Sequence, residues 1–160
     1  MSKQIPLAYA LALVTLAGLP PANAAEHELD FKLVVTPSEM KTMDAANVPG
    51  QTAMLMKMHG VAYFSDGRIA SKSFVYSADF NKETGGPFYG YSTYQFQDGS
   101  SITARFEGTQ KTGQAQHGEY TVLSGTGVFA NAKGAGAFDA MEHKFTGANL
   151  FSGKFKITTP

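Results

Sequence analysis

The stretch Gly118-Glu-Tyr-Thr-Val-Leu-Ser-Gly-Thr-Gly-Val-Phe-Ala-Asn-Ala-Lys-Gly-Ala-Gly-Ala-Phe138 decides the fold. It reads as a strand over Tyr120 to Leu123, a glycine-punctuated turn, one short helical turn around Val128 to Lys133, and a return strand. Five glycines fall within its 21 residues. Glycine accepts positive φ and lets backbones approach one another, which is what a bending, closing sheet wall requires.

Apolar alternation with period 2 recurs on both sides of this block. The faces are Leu29-Phe31-Leu33-Val35, Met54-Met56-Met58, Phe74-Tyr76-Ala78-Phe80, Tyr94-Phe96, Ile102-Ala104-Phe106 and Phe151-Gly153-Phe155-Ile157. Asp66-Gly67 and Asp98-Gly99 are turn signals between them. A three-residue loop Gln97-Asp98-Gly99 pairs Tyr94 with Ile102, Ser92 with Ala104 and Gly90 with Phe106, keeping apolar residues together; a two-residue loop mixes the faces. Loop Ser65-Asp66-Gly67 likewise pairs Met58 with Phe74, Met56 with Tyr76 and Met54 with Ala78. Both loops end on Gly, as a type I turn with a G1 bulge demands. The inner wall is then Met54, Met56, Met58, Phe74, Tyr76, Tyr94, Phe96, Ile102 and Phe106. Lys57, Thr103, Arg105, Glu107, Lys154 and Lys156 face out. About eight such strands use up the chain, predicting an all-β, eight-stranded antiparallel closed barrel. Thr36-Pro37-Ser38-Glu39 has the form of a capping box with Pro at the first helical position, so a short helix or loop through Ala46 is expected after the first strand.

The N-terminus reads differently. Lys3, the uncharged run from Ile5 to Leu19, Pro20-Pro21 and the small residues Ala22-Asn23-Ala24 form a secretory signal peptide with cleavage after Ala24. The run is shorter than the ~20 residues of a membrane helix, so no membrane span is expected in the mature form. The domains are therefore 1–24, signal peptide, and 25–160, one barrel. The expected destination is the bacterial periplasm or the exterior. Thirteen basic and thirteen acidic residues balance and are scattered, which argues against nucleic acid as a partner. The chain has no Cys, excluding thiol catalysis and thiolate metal sites.

The segment Gly125-Thr-Gly-Val-Phe-Ala-Asn-Ala-Lys-Gly-Ala-Gly136 resembles the G-T-G-x-[FY]-x-x-A-x-G-x-G signature of the allene oxide cyclase and dirigent barrel superfamily. Phe96-Gln-Asp-Gly-Ser-Ser-Ile-Thr-Ala-Arg-Phe-Glu-Gly108 is similar to the strand pair before that signature, and the resemblance spans about residues 85 to 157. It implies an eight-stranded antiparallel barrel, often trimeric in plant members. Its members include cyclases, dirigent proteins that steer radical coupling, and bacterial cyclases of polyketide-like substrates. None of their catalytic acids matches a residue here.

Over the two registered hairpins the inner wall is expected to carry no Asp, Glu, Lys, Arg or His. Tyr76, Tyr94 and Ser92 are its only polar groups, which leaves little for acid–base work. The expected ligand cavity is formed by Met54, Met56, Met58, Phe74, Tyr76, Ser92, Tyr94, Phe96 and Phe106. The first functional reading is an exported barrel that binds a hydrophobic or aromatic small molecule without catalysis and without a cofactor. The second is an isomerase or cyclase that uses the cavity as a mould, with Tyr76 or Tyr94 donating hydrogen bonds. The third is Cu(I) binding by the thioethers of Met54, Met56 and Met58, against which stands Met as a filler of irregular cores; no metal site is assigned. His27, His59, His117 and His143 form no spaced pair, and Glu142-His143 with Asp139 reads as a solvated barrel end. Tyr89 and Tyr91 fall on the outer wall beside Arg105 and Glu107, where a homo-oligomer contact, dimer or trimer, is one reading and cover by the Met40 to Gly50 segment the other.

Overall fold

A computed structural model describes residues 24–160; the signal-peptide reading of 1–23 lies outside them. Eight strands run in sequence: β1 (Ala25–Asp44), β2 (Gln51–Phe64), β3 (Ile69–Asn81), β4 (Gly86–Phe96), β5 (Ser101–Gln110), β6 (His117–Thr126), β7 (Lys133–Met141) and β8 (Asn149–Thr159). Each pairs antiparallel with its neighbours in sequence, and β8 closes on β1. A single 3₁₀ turn, Gly127–Phe129, stands between β6 and β7.

Both hairpin registers are as expected: Met58 opposes Phe74, Met56 opposes Tyr76 and Met54 opposes Ala78, while Tyr94 opposes Ile102, Ser92 opposes Ala104 and Gly90 opposes Phe106. Gly67 and Gly99 take φ of 88° and 84°, the left-handed geometry that ends a three-residue loop.

The helix or loop expected after the first strand is absent; β1 continues unbroken to Asp44. The capping-box pattern is overruled by pairing. Thr36 through Asp44 runs alongside β2, with a bulge between Pro37 and Glu39. The bulge accommodates a proline, which has no N–H to give a ladder. It also restores side-chain phase: Glu39 comes to lie beside Lys57 on the outer face, with a 2.9 Å ion pair, while Met40 opposes Met56. Ser38 Oγ donates to the Lys57 carbonyl at 3.1 Å rather than capping a helix. Because β8 pairs with β1 only as far as Val35, the later half of β1 forms a lip with β2 beyond the closed wall.

The interior is organised by phenylalanine lying over glycine. Five inward Phe residues each face a Gly directly across a strand pair: Phe106 with Gly90 and Phe88 with Gly108, Phe138 with Gly118, Phe155 with Gly136, and Phe31 with Gly153. At each of these glycines an added Cβ would collide with the opposing ring or the adjacent backbone. The rings therefore lie down against the wall and fill the barrel axis.

The glycine block builds the plug of one end. Gly127 turns the chain with φ of 61°, and Gly125 lets the backbone of Phe129 fold back against it. Phe129, fully buried, slides under the barrel to meet Phe96 at 5.1 Å and His27 at 5.5 Å between ring centroids. The Arg68 guanidinium covers Phe96 and Phe129 at 5.5 and 5.4 Å, and Asp66 Oδ2 accepts from Arg68 Nε at 2.9 Å. Above this plug Leu29, Phe31, Tyr94, Ile102, Phe155 and Ile157 are packed without access to solvent.

Tyr89 and Tyr91 are exposed on the outer face, opposite Glu107 and Arg105, and the Arg105 guanidinium sits 5.8 Å from the Tyr89 ring centre. The Met40–Asp44 run lies beside β2, not over β4. The exposed His117 Nδ1 pairs with Asp139 Oδ1 at 2.7 Å.

Gly90→Ala tests the ring-over-glycine arrangement. Its Cβ has no room between the Val75 carbonyl and the Phe106 ring, so urea unfolding is expected to show a loss of about 1–3 kcal/mol, the usual cost of forcing bulk into a packed core. An unchanged midpoint would mean that the ring is free to move aside.

Candidate functional site

The half of the barrel away from the plug is not filled. A cavity of about 120 Å³ lies there, lined by Met56, Met58, Lys72, Phe74, Tyr76, Phe106, Gln116, Tyr120 and Phe138 together with Leu33, Asn149 and Phe151. Its outer residues Met56, Phe74, Tyr76, Gln116 and Phe151 are only half-buried, whereas Met58, Phe106, Tyr120 and Phe138 are buried. The cavity thus opens at the end that carries the β1–β2, β3–β4, β5–β6 and β7–β8 connections. An apolar cavity of about 150 Å³ in another protein takes up benzene, so this one is of a size for a single aromatic ring.

Of the residues expected to form the cavity, Met56, Met58, Phe74, Tyr76 and Phe106 line it; Met54, Ser92, Tyr94 and Phe96 do not. Met54 packs against the core nearer the lip. Ser92 Oγ donates to the Ala104 carbonyl at 3.4 Å. Tyr94 stands behind the cavity wall, fully buried, and Phe96 belongs to the plug. The three thioethers share the inward face, and His59, on the same strand, is exposed.

The expectation of an inner wall free of ionisable groups is wrong. Lys72 is only 4% exposed. Its Nζ donates to Tyr120 Oη at 2.8 Å, and the Tyr120 and Tyr94 hydroxyls are 3.0 Å apart. Four rings surround the amine, with centres at 4.6 Å for Phe74, 4.9 Å for Tyr94, 5.1 Å for Tyr120 and 5.6 Å for Phe106. No carboxylate pairs with it among the described residues.

The physical cause is strand parity. Lys72 stands two residues before Phe74 and four before Tyr76, so its side chain turns inward with theirs. A face counted only from Phe74 stops one inward position short. Tyr120 and Phe138 lie outside the registered faces for another reason: the turn length between β6 and β7 is not legible from the glycines, so no register places them.

Burial without a counter-ion pulls the Lys72 amine down from its ordinary 10.5 to about 7. Desolvation is the cause of that fall; the ring faces act the other way, toward the ammonium form. Burial pushes the Tyr94 and Tyr120 phenols well up and raises Tyr76 less strongly. These hydroxyls stay protonated at neutral pH. The site therefore offers a chain of proton-bearing groups, Tyr94, Tyr120, Lys72, ending on an amine that gains and loses its proton near neutrality.

No known family profile matches the chain, and no curated protein does. Among solved structures, the pterocarpan synthase dirigent protein GePTS1 superimposes with a TM-score of 0.56 at 16% identity, covering 91% of this chain and 98% of that one. The fold is that of the dirigent proteins. A second, the pterocarpan synthase dirigent protein PsPTS1, gives a TM-score of 0.51 at 18% identity, with 87% of this chain and 97% of that one covered. At such identities the likeness is one of fold alone, the dirigent side of the resemblance carried by Gly125 to Gly136. The dirigent barrel explains the wall of this chain; its chamber has to be read from its own side chains.

The buried amine has a thermodynamic signature. An unfolded Lys72 holds its proton up to about 10.5, and the folded one releases it from about 7. In that window the unfolded chain binds more protons, so this group makes the protein more stable as pH rises from 7 toward 10. The penalty is present in full below 7. Lys72→Met removes it, so the variant is expected to exceed the parent in stability by a few kcal/mol at pH 7 and to converge with it by pH 10. Above 10 the three phenols act with the opposite sign, which bounds the useful range. Urea unfolding across pH 6–10 measures this; a difference constant with pH would show that Lys72 does not titrate in the folded state.

Proposed function

We propose that this protein is an exported dirigent-type barrel that takes up a small apolar or aromatic molecule in its open-ended chamber. The observation that carries the reading is the unfilled space of about 120 Å³ walled by rings and thioethers in a barrel whose other end is tightly plugged. Sites of this kind bind through apolar walls and a few convergent polar groups; here those groups are Lys72, Tyr120, Tyr76, Gln116 and Asn149. The dirigent proteins of the same fold are named as pterocarpan synthases, which is consistent with a barrel that holds aromatic substances. Export rests on the sequence pattern alone: Lys3, the uncharged run from Ile5 to Leu19 and the small residues Ala22-Asn23-Ala24.

Methionine-methyl NMR tests uptake. Toluene, added to the mature chain, is expected to shift the Met56 and Met58 methyls saturably. Met40 and Met43, which are exposed on the lip, serve as internal controls and should stay in place. Shifts that are absent, or equal at all four, would show the chamber closed to guests.

A second reading, an isomerase or cyclase that moulds a hydrophobic substrate, is favoured by one observation: the Lys72–Tyr120–Tyr94 chain ends on the chamber wall. Holding a reactive substrate in a folded shape supplies much of the rate in such reactions, and a buried hydroxyl or amine supplies directed hydrogen bonds. Copper uptake by Met54, Met56 and Met58 has no comparable support, since Met54 lies off the chamber and the other two serve as wall.

A further inference from the structure

Lys72 has no structural justification. A methionine in its place would fill nearly the same volume without the cost of stripping water from an amine. The nearest polar partner, Tyr120, already has the Tyr94 hydroxyl at 3.0 Å, so the network does not need a lysine to be satisfied. The amine is therefore placed where a ligand meets it. It forms part of the chamber wall with Tyr120 and Phe106, is held by one hydrogen bond, and is screened from water by four rings. An anionic ligand would suit a fixed ammonium. Burial with no carboxylate beside it among the described residues instead favours the neutral amine, against the pull of the ring faces, and the lone pair of that amine is a nucleophile.

We propose that Lys72 captures the carbonyl carbon of an apolar or aromatic aldehyde or ketone as a Schiff base within the chamber, an inference that rests on the chamber admitting such molecules. The neutral Nζ attacks the carbonyl carbon. An N–C bond forms, the C=O π pair moves to oxygen, and a proton passes from nitrogen to that oxygen, with the Tyr120 hydroxyl placed to relay it. The carbinolamine then loses its hydroxyl as water, taking up one proton and releasing another as C=N forms. The balance is amine plus carbonyl giving imine plus water, with no oxidant or reductant. Besides Lys72, the titratable groups facing this space among the described residues are Tyr76 on β3 and Tyr120 on β6, with Tyr94 on β4 behind them against the amine; burial raises all three phenols, which stay protonated near neutrality. Capture therefore follows the state of Lys72 itself, being faster at pH 8 than at pH 6.

Benzaldehyde, one ring and one carbonyl, is the probe, with cyanoborohydride to fix any imine as a benzyl amine. The parent protein is treated at pH 7 and the modified sites are mapped by peptide mass spectrometry. Lys72 is expected to be benzylated at least about tenfold faster than exposed lysines such as Lys57 and Lys154, because at that pH a desolvated lysine is substantially neutral and an exposed one is not. Lys72→Met should lose the fast adduct and keep the slow ones. Benzylation of Lys72 no faster than of Lys57 overturns the proposal. The Met56 and Met58 methyl resonances, followed with benzaldehyde in Lys72→Met, separate the two ideas. If they shift while the parent gives no fast adduct, the chamber binds its guest and Schiff-base capture is wrong. If they shift in neither protein and no adduct forms, uptake and capture fail together.

Discussion

Five phenylalanines of this barrel rest on five glycines of the neighbouring strands, and most of the architecture follows from that contact. A ring lying flat over a residue without a Cβ occupies the axis of a narrow barrel while leaving the wall free to curve. Phe31, Phe88, Phe106, Phe138 and Phe155 are directly opposite Gly153, Gly108, Gly90, Gly118 and Gly136. Glycines that look in the sequence like weak points in strands are thus seats for rings. The same residue type, used for its positive φ at Gly127 and for close approach at Gly125, carries Phe129 across the bottom and seals it.

Filling one end determines what the other can do. The rings and aliphatic side chains stacked from Phe129 up to Tyr94 leave no room near the plug, so the remaining space collects at the far end, between Met56, Met58 and the faces of Phe74, Tyr76 and Phe106. An amine enters that space from the wall. Among the described residues its hydrogen bond runs to Tyr120, which in turn meets Tyr94 in the packed half. The Tyr94 hydroxyl is therefore a link between core and chamber, not a ligand contact in its own right. The deepest polar groups of the chamber are that nitrogen and its phenol partner, with Tyr76, Gln116 and Asn149 nearer the mouth, and the low dielectric around the buried pair sets the protonation of both.

The wall was legible in the sequence, and its contents were legible only in part. Asp-Gly at 66–67 and 98–99 fixed two loops, and the requirement that Met58 meet Phe74 and Tyr94 meet Ile102 fixed the registers. Side-chain parity then sorted in from out. Lys72 obeys that parity, but a lysine breaks the run of apolar residues that marks where such a face begins. The Thr36–Glu39 segment shows the reverse case. Its local signal for a helix is sound, yet a strand partner from Lys57 to Met58 was available, and tertiary pairing overrode a four-residue preference. The size of the chamber lies beyond any pattern in the chain. It depends on how far each strand is staggered around the barrel, and so on which rings share a level.

Protonation of one nitrogen is the most direct test of this account. With lysine labelled at the side chain, the Lys72 Nζ resonance is followed by NMR from pH 5 to 11 in the folded protein. A midpoint of about 7, well below those of the exposed lysines, is what the desolvation of this buried amine predicts. A midpoint near the ordinary 10.5 would show that the ring faces offset the loss of water, and would contradict the desolvated amine, neutral above pH 7, described here.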